Sequence, residues 1–233
     1  MRCARAAGIT DLAVGAYGDD DGDYSCPSPP SSPSNCAYGA VYLLFLNTDG
    51  TVKGEKKIGR TQGGLPLARY DQFGMSVASL GDVDDDGMLL RATRGAQVPG
   101  LLRVPLMGAR CARAAGVTDI AVGAQGDDNG GKDVGAVYVI FLNKDGTVNR
   151  WQKLSADKGD VTGHLDVDDK FGGALAGLGD IDGDGVGDLA VGAYKDDDGG
   201  SDPGAVYLFF LKPDGKVKDE KKLSASSVSG SKE

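Results

Sequence analysis

Short apolar segments alternate with clusters of glycine and aspartate along the whole chain, and this pattern predicts β-strands. Segments such as DLAVGA at 188–193 and GAVYLFFL at 204–211 are rich in β-branched, aromatic and aliphatic residues, and turn-forming residues bound each of them. The near-continuous apolar stretch VYLFFL is typical of a strand that is buried on both faces. No segment has the helical periodicity that would compete, so the pattern favours an all-β fold.

The strand pattern recurs three times along the chain. The first strand of each copy lies in DLAVGAYGDD at 11–20, DIAVGAQGDD at 119–128 and DLAVGAYKDD at 188–197. A second apolar strand and then a lysine-containing polar strand follow in every copy. Two copies also have a preceding element, DQFGMSVASLGD at 71–82 and DKFGGALAGLGD at 169–180. Such internal repetition predicts a repeat architecture.

Asp-Gly pairs separate the second and third strands of every copy and predict tight hairpins. These pairs are Asp49-Gly50, Asp145-Gly146 and Asp214-Gly215. We expect type I′ turns there, with positive φ at both central residues. Each unit then contains an FG strand, an AVGA strand, a GAVY strand and an outer strand whose charges limit edge pairing. Tandem four-stranded units predict propeller blades, with a β-solenoid as the less favoured alternative.

One loop between the FG strand and the AVGA strand of a unit has the ligand spacing of a calcium site. GDIDGDGVGD at 179–188 places carboxylates at positions 1, 3, 5 and 9, a glycine at position 6 and a backbone carbonyl at position 7. The predicted ligands are Asp180, Asp182, Asp184, Val186 through its carbonyl oxygen, and Asp188. An EF-hand would need a bidentate glutamate at position 12, which here is Val191 in a strand, so the loop is only EF-like. The alternative is an Asp/Gly-rich turn that binds nothing.

The second copy contains the same loop with an interruption. Its segment GDVDDDG supplies Asp82, Asp84 and Asp86, but a carboxylate reaches the ninth position only when residues 88–116 are removed, which brings Asp119 into register. The removal also makes the spacing between the two Phe-Gly pairs equal to the spacing between the last two AVGA-type motifs. We therefore predict a second calcium site with these four aspartates as ligands.

The interrupting segment 88–116 differs in composition from the rest of the chain. It contains arginines but no acidic residue, and its last residues, RCARAAG, recur at positions 2–8. We interpret 88–116 and 1–8 as translated intron ends that replace the FG strand and the calcium loop of the first copy. The alternative is a genuine long loop, because the cost of loop closure grows only slowly with length.

The repeated motifs resemble the FG-GAP repeats of integrin α-subunit N-terminal β-propellers and of related extracellular repeat proteins. The resemblance rests on Phe171-Gly172, on the D-x-D-x-D-G-x-x-D loop at 180–188, and on Gly192-Ala193, with tyrosine or glutamine replacing the proline of Gly-Ala-Pro. It covers essentially the whole chain. It implies a propeller in which calcium loops between neighbouring strands stiffen each blade, and it implies that ligand recognition lies on other loops.

We expect a partial or open propeller of about three blades. The first predicted blade, residues 1–59, lacks its FG strand and calcium loop; the second, 60–154, contains the insert; and the third, 155–233, ends before the next FG strand. Exposed blade edges at the two ends of an unclosed array predict self-association.

The overall charge limits the classes of partner. The 233 residues include 34 acidic and 25 basic side chains, and the net charge of −9 argues against nucleic acid and suits a protein that handles cations. No apolar run approaches the roughly 20 residues that cross a membrane, and the N-terminal residues lack the apolar segment of a secretory signal. Cys26 and Cys36 flank a Pro/Ser-rich loop and predict a disulfide if the protein is secreted. Cys3 and Cys111 leave other pairings open.

These observations predict a non-catalytic, calcium-binding module for adhesion or recognition outside the cell or at its surface. His164 is the only histidine, so Ser-His or Cys-His catalysis is not supported. We expect a protein or glycan ligand of unknown identity. Two alternatives stay open: an accessory propeller of a larger secreted or cell-surface hydrolase, and a structural repeat array. The acidic hairpin loops at 19–23, 127–133 and 196–202 are solvated turns or secondary cation sites.

Overall fold

The computed structural model describes residues 11–21, 36–84, 118–198 and 203–224. Every regular secondary-structure element in these ranges is a β-strand. Eleven strands form three antiparallel sheets. The described part of the chain has no helix that is long and apolar enough to cross a membrane. The predicted all-β fold class is therefore confirmed.

Each sheet is an up-and-down meander, which is the strand arrangement of a propeller blade. The first sheet consists of β1 (Leu12–Ala16), β2 (Ala40–Leu46) and β3 (Val52–Ile58). The second consists of β4 (Phe73–Gly81), β5 (Asp119–Ala124), β6 (Ala136–Leu142) and β7 (Val148–Leu154). The third consists of β8 (Phe171–Gly179), β9 (Asp188–Ala193), β10 (Ala205–Leu211) and β11 (Val217–Ser224). The strand order predicted for a complete copy is confirmed in the second and third sheets.

The first sheet has three strands within the described residues, with β1 at its edge. The segments 1–8 and 88–116 lie outside the described ranges, so their interpretation as intron ends stays a prediction. The blade boundaries after residues 59 and 154 stay predictions as well. Cys36 is fully buried, whereas Cys26, Cys3 and Cys111 lie outside the described residues, and the predicted disulfide remains a hypothesis.

The hairpin turns differ from the predicted type I′ geometry. In the first hairpin φ is positive at Gly50, 82°, but not at Asp49. Gly50 donates its N–H to the carbonyl of Asn47 (2.9 Å), and the register of β2 and β3 shifts beside the turn. The Asp49 carboxylate accepts the backbone N–H of Thr51 at 2.9 Å, which favours this longer turn with a glycine bulge. The type I′ prediction was wrong, although the hairpins are where it placed them.

The three sheets stack face to face, with the second sheet between the other two. One buried apolar cluster joins the first and second sheets, and another joins the second and third. Strand β6 is buried at all of its positions, because the second sheet has a neighbour on both sides. The prediction that VYLFFL is buried on both faces was wrong: β10, like β2, is buried mainly on the side that faces the second sheet, since each outer sheet has a neighbour on one side only.

Glycines of the AVGA-type strands allow the sheets to approach each other closely. A Cβ atom at Gly123 would lie 1.9 Å from the carbonyl oxygen of Gly172 in the next sheet, and one at Gly15 would lie 2.0 Å from that of Gly74. The hydroxyl of Ser76 also donates a hydrogen bond to the Gly172 carbonyl at 2.7 Å. The repeated Phe-Gly and Gly-Ala motifs therefore meet across the sheet boundaries. Glycine is required at these positions because a side chain would collide with the backbone of the neighbouring sheet.

Candidate metal centres

The loop between β8 and β9 brings three predicted ligands together. Carboxylate oxygens of Asp180, Asp182 and Asp188 all lie within 4.8 Å of one another. Asp188 begins β9 and is almost completely buried, whereas Asp180 and Asp182 are exposed in the loop. A set of hard carboxylate oxygens on one loop has the donor chemistry that calcium prefers.

Backbone N–H groups fix the orientation of the loop carboxylates. Asp180 accepts hydrogen bonds from the N–H groups of Gly183 (2.7 Å) and Gly185 (2.9 Å). Gly185, at the sixth loop position, has a φ of 97°, a conformation that side chains rarely adopt. The loop is therefore turned sharply at the glycine that the spacing argument required. Val186 is buried beneath the loop, and the role of its carbonyl oxygen as a ligand stays a prediction.

Asp188 ties the loop to the sheet. One carboxylate oxygen accepts the N–H of Ile181 at 2.9 Å, and the other accepts the N–H of Leu211 in β10 at 3.2 Å. Burial raises the pKa of the Asp188 carboxyl, and the negative charges of Asp182 and Asp184 act in the same direction. A bound cation would stabilise the charged form of Asp188 and offset the repulsion among the carboxylates, so the electrostatics of the loop favour cation binding.

Asp184 lies outside the cluster of three oxygens. Its carboxylate and that of Asp182 face Lys218 of β11, whose Nζ lies 2.6 Å and 2.7 Å from their oxygens. The hydrogen bond from Lys218 lowers the pKa of Asp184. The lysine ammonium thus occupies one side of the loop and supplies part of the positive charge that the loop carboxylates require.

The loop after β4 repeats this arrangement across the interruption in the sequence. Carboxylate oxygens of Asp82, Asp84 and Asp119 lie within 4.8 Å of one another. Arg150 of β7 contacts Asp84 at 3.0 Å, so a basic side chain of the outer strand again faces the loop. Asp86 lies outside the described residues. The structure brings Asp119 to the first two aspartates, as the spacing argument requires, and metal ligation itself stays a prediction.

Asp119 makes the same two backbone contacts as its counterpart Asp188. Its carboxylate accepts the N–H of Val83 at 2.9 Å and the N–H of Leu142 at 3.1 Å. In the first sheet, Asp11 accepts the N–H of Leu46 at 3.0 Å, which corresponds to the second of these bonds. Sequence reasoning did not single out Asp11, although its place before the first AVGA motif was the signal.

A second repeated cluster contains the first aspartate of each acidic hairpin loop, and its pairing with a tyrosine and a lysine was not predicted. In each sheet, the aspartate that follows the AVGA-type strand contacts a tyrosine of the next strand and a lysine of the outer strand. The three sets are Asp19, Tyr42 and Lys57; Asp127, Tyr138 and Lys153; and Asp196, Tyr207 and Lys222. The signal lies in the sequence, because all three residue types recur at matching positions of the copies.

The set in the second sheet includes a further buried acid, Asp71. Burial raises the pKa of Asp71 to about 7, and the neighbouring Asp127 carboxylate acts in the same direction. Lys153 lies 2.6 Å from Asp127 and is itself buried. Asp169 is the counterpart of Asp71 in the third sheet, and burial raises the pKa of its carboxyl too. Both acids are buried and lie outside the two loops that are predicted to bind calcium.

A third group of acids involves one of the acidic hairpin loops. Asp197 and Asp198 have carboxylate oxygens within 4.8 Å of each other and of Asp166 from the connection between β7 and β8. Lys222 forms an ion pair with Asp198. No pattern in the sequence indicated Asp166, because it lies in a different connection. A secondary cation site here stays a prediction.

Two curated proteins are similar to the chain, and both are integrin α chains of Drosophila melanogaster. Integrin alpha-PS5 is 31% identical over 217 residues, which cover 90% of this chain and 15% of that protein. Integrin alpha-PS2 is 36% identical over 107 residues, which cover 44% of this chain and 7% of that protein. The chain thus spans only a small part of the length of either relative. No protein-family model matches the chain.

Three observations agree on the family: the two similarities, the repeated Phe-Gly and Gly-Ala motifs and the three antiparallel sheets. The chain is therefore an integrin-α-like FG-GAP repeat protein.

Proposed function

We propose that this chain is a calcium-binding, non-catalytic module that serves adhesion or recognition outside the cell or at its surface. One observation carries the calcium part of the proposal: two sheets present the same triad of aspartates at the same place. In both, the last aspartate, Asp119 or Asp188, also accepts two backbone N–H groups from separate segments. A turn that bound nothing would have no need to gather three carboxylates twice.

In the third sheet, Asp180, Asp182 and Asp188 would hold the ion, with Asp184 released from Lys218 as a further ligand. In the second sheet, Asp82, Asp84 and Asp119 would hold it, together with Asp86. When bound, calcium supplies the positive charge that neutralises these carboxylates. The aspartates themselves connect the loop to the strand behind it through their backbone hydrogen bonds, so calcium is expected to stiffen each sheet.

The calcium part is tested by thermal unfolding with calcium and with EDTA. If one site has a Kd of roughly 0.1 mM and the medium supplies about 1 mM calcium, binding stabilises the fold by about 1.4 kcal/mol per site. Two sites would then raise Tm by roughly 6–10 °C in a domain of this size. An unchanged Tm on adding EDTA would contradict the proposal.

A pair of variants assigns the effect to the predicted loop. Asp182→Asn keeps the size of the side chain but removes its charge, so we expect it to lose about half of the calcium response, because the site of the second sheet remains. Asp160→Asn is the control, since Asp160 is an exposed aspartate that pairs with Lys212 outside both loops. The control should keep the full response.

Lys218 provides an independent test of the same loop. In the absence of calcium, its ammonium neutralises Asp182 and Asp184. Replacing it with alanine removes a competing positive charge, and we expect the calcium affinity to rise about fivefold, the size of one screened charge interaction at close range. Lys212→Ala is the matched control, because Lys212 pairs with Asp160 instead. Calorimetric titration with calcium measures both variants.

Similarity to two integrin α chains supports the adhesion part. The non-catalytic part is supported by the one histidine, His164, whose exposed ring contacts Asp166. A surface coated with the chain should retain cells in calcium and release them in EDTA. Attachment no greater than on a coat of unrelated protein would contradict the adhesion part and leave the calcium test unaffected.

A further inference from the structure

The stack of three sheets has an uncovered apolar face at each end. The outer face of the first sheet points away from the second sheet and consists of Leu12, Val14, Tyr42, Leu44 and Leu46. The outer face of the third sheet also points away from the second and consists of Ala190, Val206, Leu208, Phe210 and Leu223. Several of these apolar side chains are strongly exposed, including Val14 at 44% and Val206 at 40%.

The second sheet has a face that is equivalent to the outer face of the third sheet, and there it is covered by a neighbouring sheet. Its residues at the corresponding positions are Ala121, Val137, Val139, Phe141 and Leu154. All of them are buried in the cluster that joins the second and third sheets. The outer face of the third sheet is therefore one half of an interface that the chain already forms between its sheets.

The opposite face of the second sheet is equivalent to the outer face of the first sheet, and it too is covered by a neighbouring sheet. Its residues at the corresponding positions are Ile120, Val122, Tyr138, Ile140 and Leu142. All of them are buried in the cluster that joins the first and second sheets. The outer face of the first sheet therefore carries the apolar residues of the other half of this interface, although its described residues lack the Phe-Gly strand that β4 and β8 supply within the chain. The apolar residues of the two uncovered faces are complementary by internal repetition.

A phenylalanine and a turn glycine mark this interface at both of its occurrences. At Gly146 an added Cβ would lie 2.6 Å from the Phe45 ring, and at Gly215 it would lie 2.9 Å from the Phe141 ring. The hairpin glycine of one sheet thus receives the phenylalanine of the sheet before it. Gly50 is the third glycine of the series, and a Cβ added to it would have no atom within 4 Å. Phe210, the third phenylalanine, lies on the outer face of the third sheet.

We propose that a second copy of this chain docks head to tail, with the outer face of its first sheet on the outer face of the third sheet. Phe210 then lies against Gly50 of the second copy. The docking uses the AVGA, GAVY and outer strands, which all three sheets share. Two copies bring together six sheets, a number within the range of about four to eight blades that closed propellers use. Such an interface joins two different surfaces, so a pair of copies can close into a ring with two identical contacts.

The mass of the whole chain in solution tests this proposal. At roughly 50 µM, well above a micromolar Kd, light scattering after gel filtration should give twice the 23.9 kDa of one chain. Val14→Lys and Val206→Lys each place a charge on one outer face at a residue that is exposed in the single chain, so both variants should fold. Circular dichroism and thermal unfolding check that they do.

Mixing the two variants distinguishes head-to-tail docking from other forms of association. Neither variant alone keeps a contact between two intact faces, so each should be a monomer. In a mixture, the intact first sheet of Val206→Lys meets the intact third sheet of Val14→Lys, and we expect a dimer of one copy of each. Val167→Lys is the control, because Val167 is 60% exposed but lies on neither face, and it should remain dimeric.

Three results would overturn the proposal. A monomeric wild-type chain at this concentration would show that the faces do not associate. A variant that dimerises by itself would show pairing of two identical faces. Two variants that stay monomeric when mixed would show that the first-sheet and third-sheet faces are not partners. These outcomes do not depend on calcium, so they separate the docking proposal from the proposed calcium function.

Discussion

Asp119 accepts a hydrogen bond from the backbone N–H of Val83 at 2.9 Å, although 36 sequence positions separate the two residues. The same aspartate pairs with Gly81 at the end of β4. Both contacts join the loop end of the β4–β5 pair through described residues on the two sides of the interruption. The strand pair is thus held by the repeat sequence on either side of the interruption.

This closure predicts that residues 88–116 can be deleted. The deletion gives the second copy the loop length of the third, and the shorter loop should stabilise the fold by about 1.5 kcal/mol, since closure entropy depends logarithmically on length. Urea unfolding of the deletion variant and the parent chain measures the difference. A deletion variant that unfolds without cooperativity would show that the segment is needed for the sheet.

The close approach of neighbouring sheets makes a second prediction. Gly123→Ala would place a methyl group 1.9 Å from the Gly172 carbonyl oxygen, so the sheets must move apart, and we expect a loss of about 3 kcal/mol. Gly192 occupies the same position in the third sheet, where the atoms nearest to an added Cβ all belong to Ala174 and lie at 3.3 Å or beyond. Gly192→Ala should therefore change the free energy of unfolding by less than about 1 kcal/mol. Equal losses for the two variants, measured by urea unfolding, would contradict this packing account.

The buried ion pairs of the repeated clusters give a third prediction. Lys153 and Asp127 have side chains that are 8% and 2% exposed. Lys153→Met leaves the carboxylate of Asp127 without its buried partner, so we expect a loss of about 3–5 kcal/mol. Lys212 pairs with Asp160 at 2.9 Å, but these side chains are 40% and 49% exposed. Lys212→Met should cost less than about 1 kcal/mol, because water replaces most of the interaction. Chemical unfolding that ranks the two variants in the opposite order would count against burial as the cause.

The raised pKa of Asp71 predicts a pH dependence of stability. Its carboxyl titrates near pH 7 in the fold because burial disfavours the charge, and near pH 4 in the unfolded chain. The unfolded chain therefore releases this proton first, and the carboxyl lowers stability progressively as the pH rises from about 4 to about 7. Asp71→Asn removes the effect, so its advantage over the wild type should grow by about 4 kcal/mol across that range.

Asp169→Asn is the matched comparison for this pH experiment. Burial raises the pKa of Asp169 in the third sheet as well, and its variant should show an advantage of the same sign. Unfolding in urea at a series of pH values measures both variants. Parallel stability curves for wild type and Asp71→Asn between about pH 4 and pH 8 would rule out the raised pKa of Asp71 as a source of pH dependence.

Local patterns in the sequence were enough to predict the strands and their order. Alternation of apolar runs with Gly/Asp clusters marks β5, β6, β9 and β10, because a strand depends mainly on the residues within it and on the turns that bound it. The spacing argument also placed Asp119 beside Asp82 and Asp84, since copies of one repeat place equivalent residues at equivalent points. The turn type was missed, because Asp49 binds Thr51 beyond the two residues that the prediction considered.

The sequence by itself determined an all-β repeat with aspartates spaced for calcium, because those features lie within one repeat unit. Only the tertiary structure decided which faces are covered, how deeply Asp71 and Lys153 are buried and that Asp166 joins Asp197 and Asp198. Those properties arise between units or between distant connections. Burial, pKa and packing depend on which neighbour a surface meets, and three nearly identical units meet different neighbours at the two ends of the stack and in its middle.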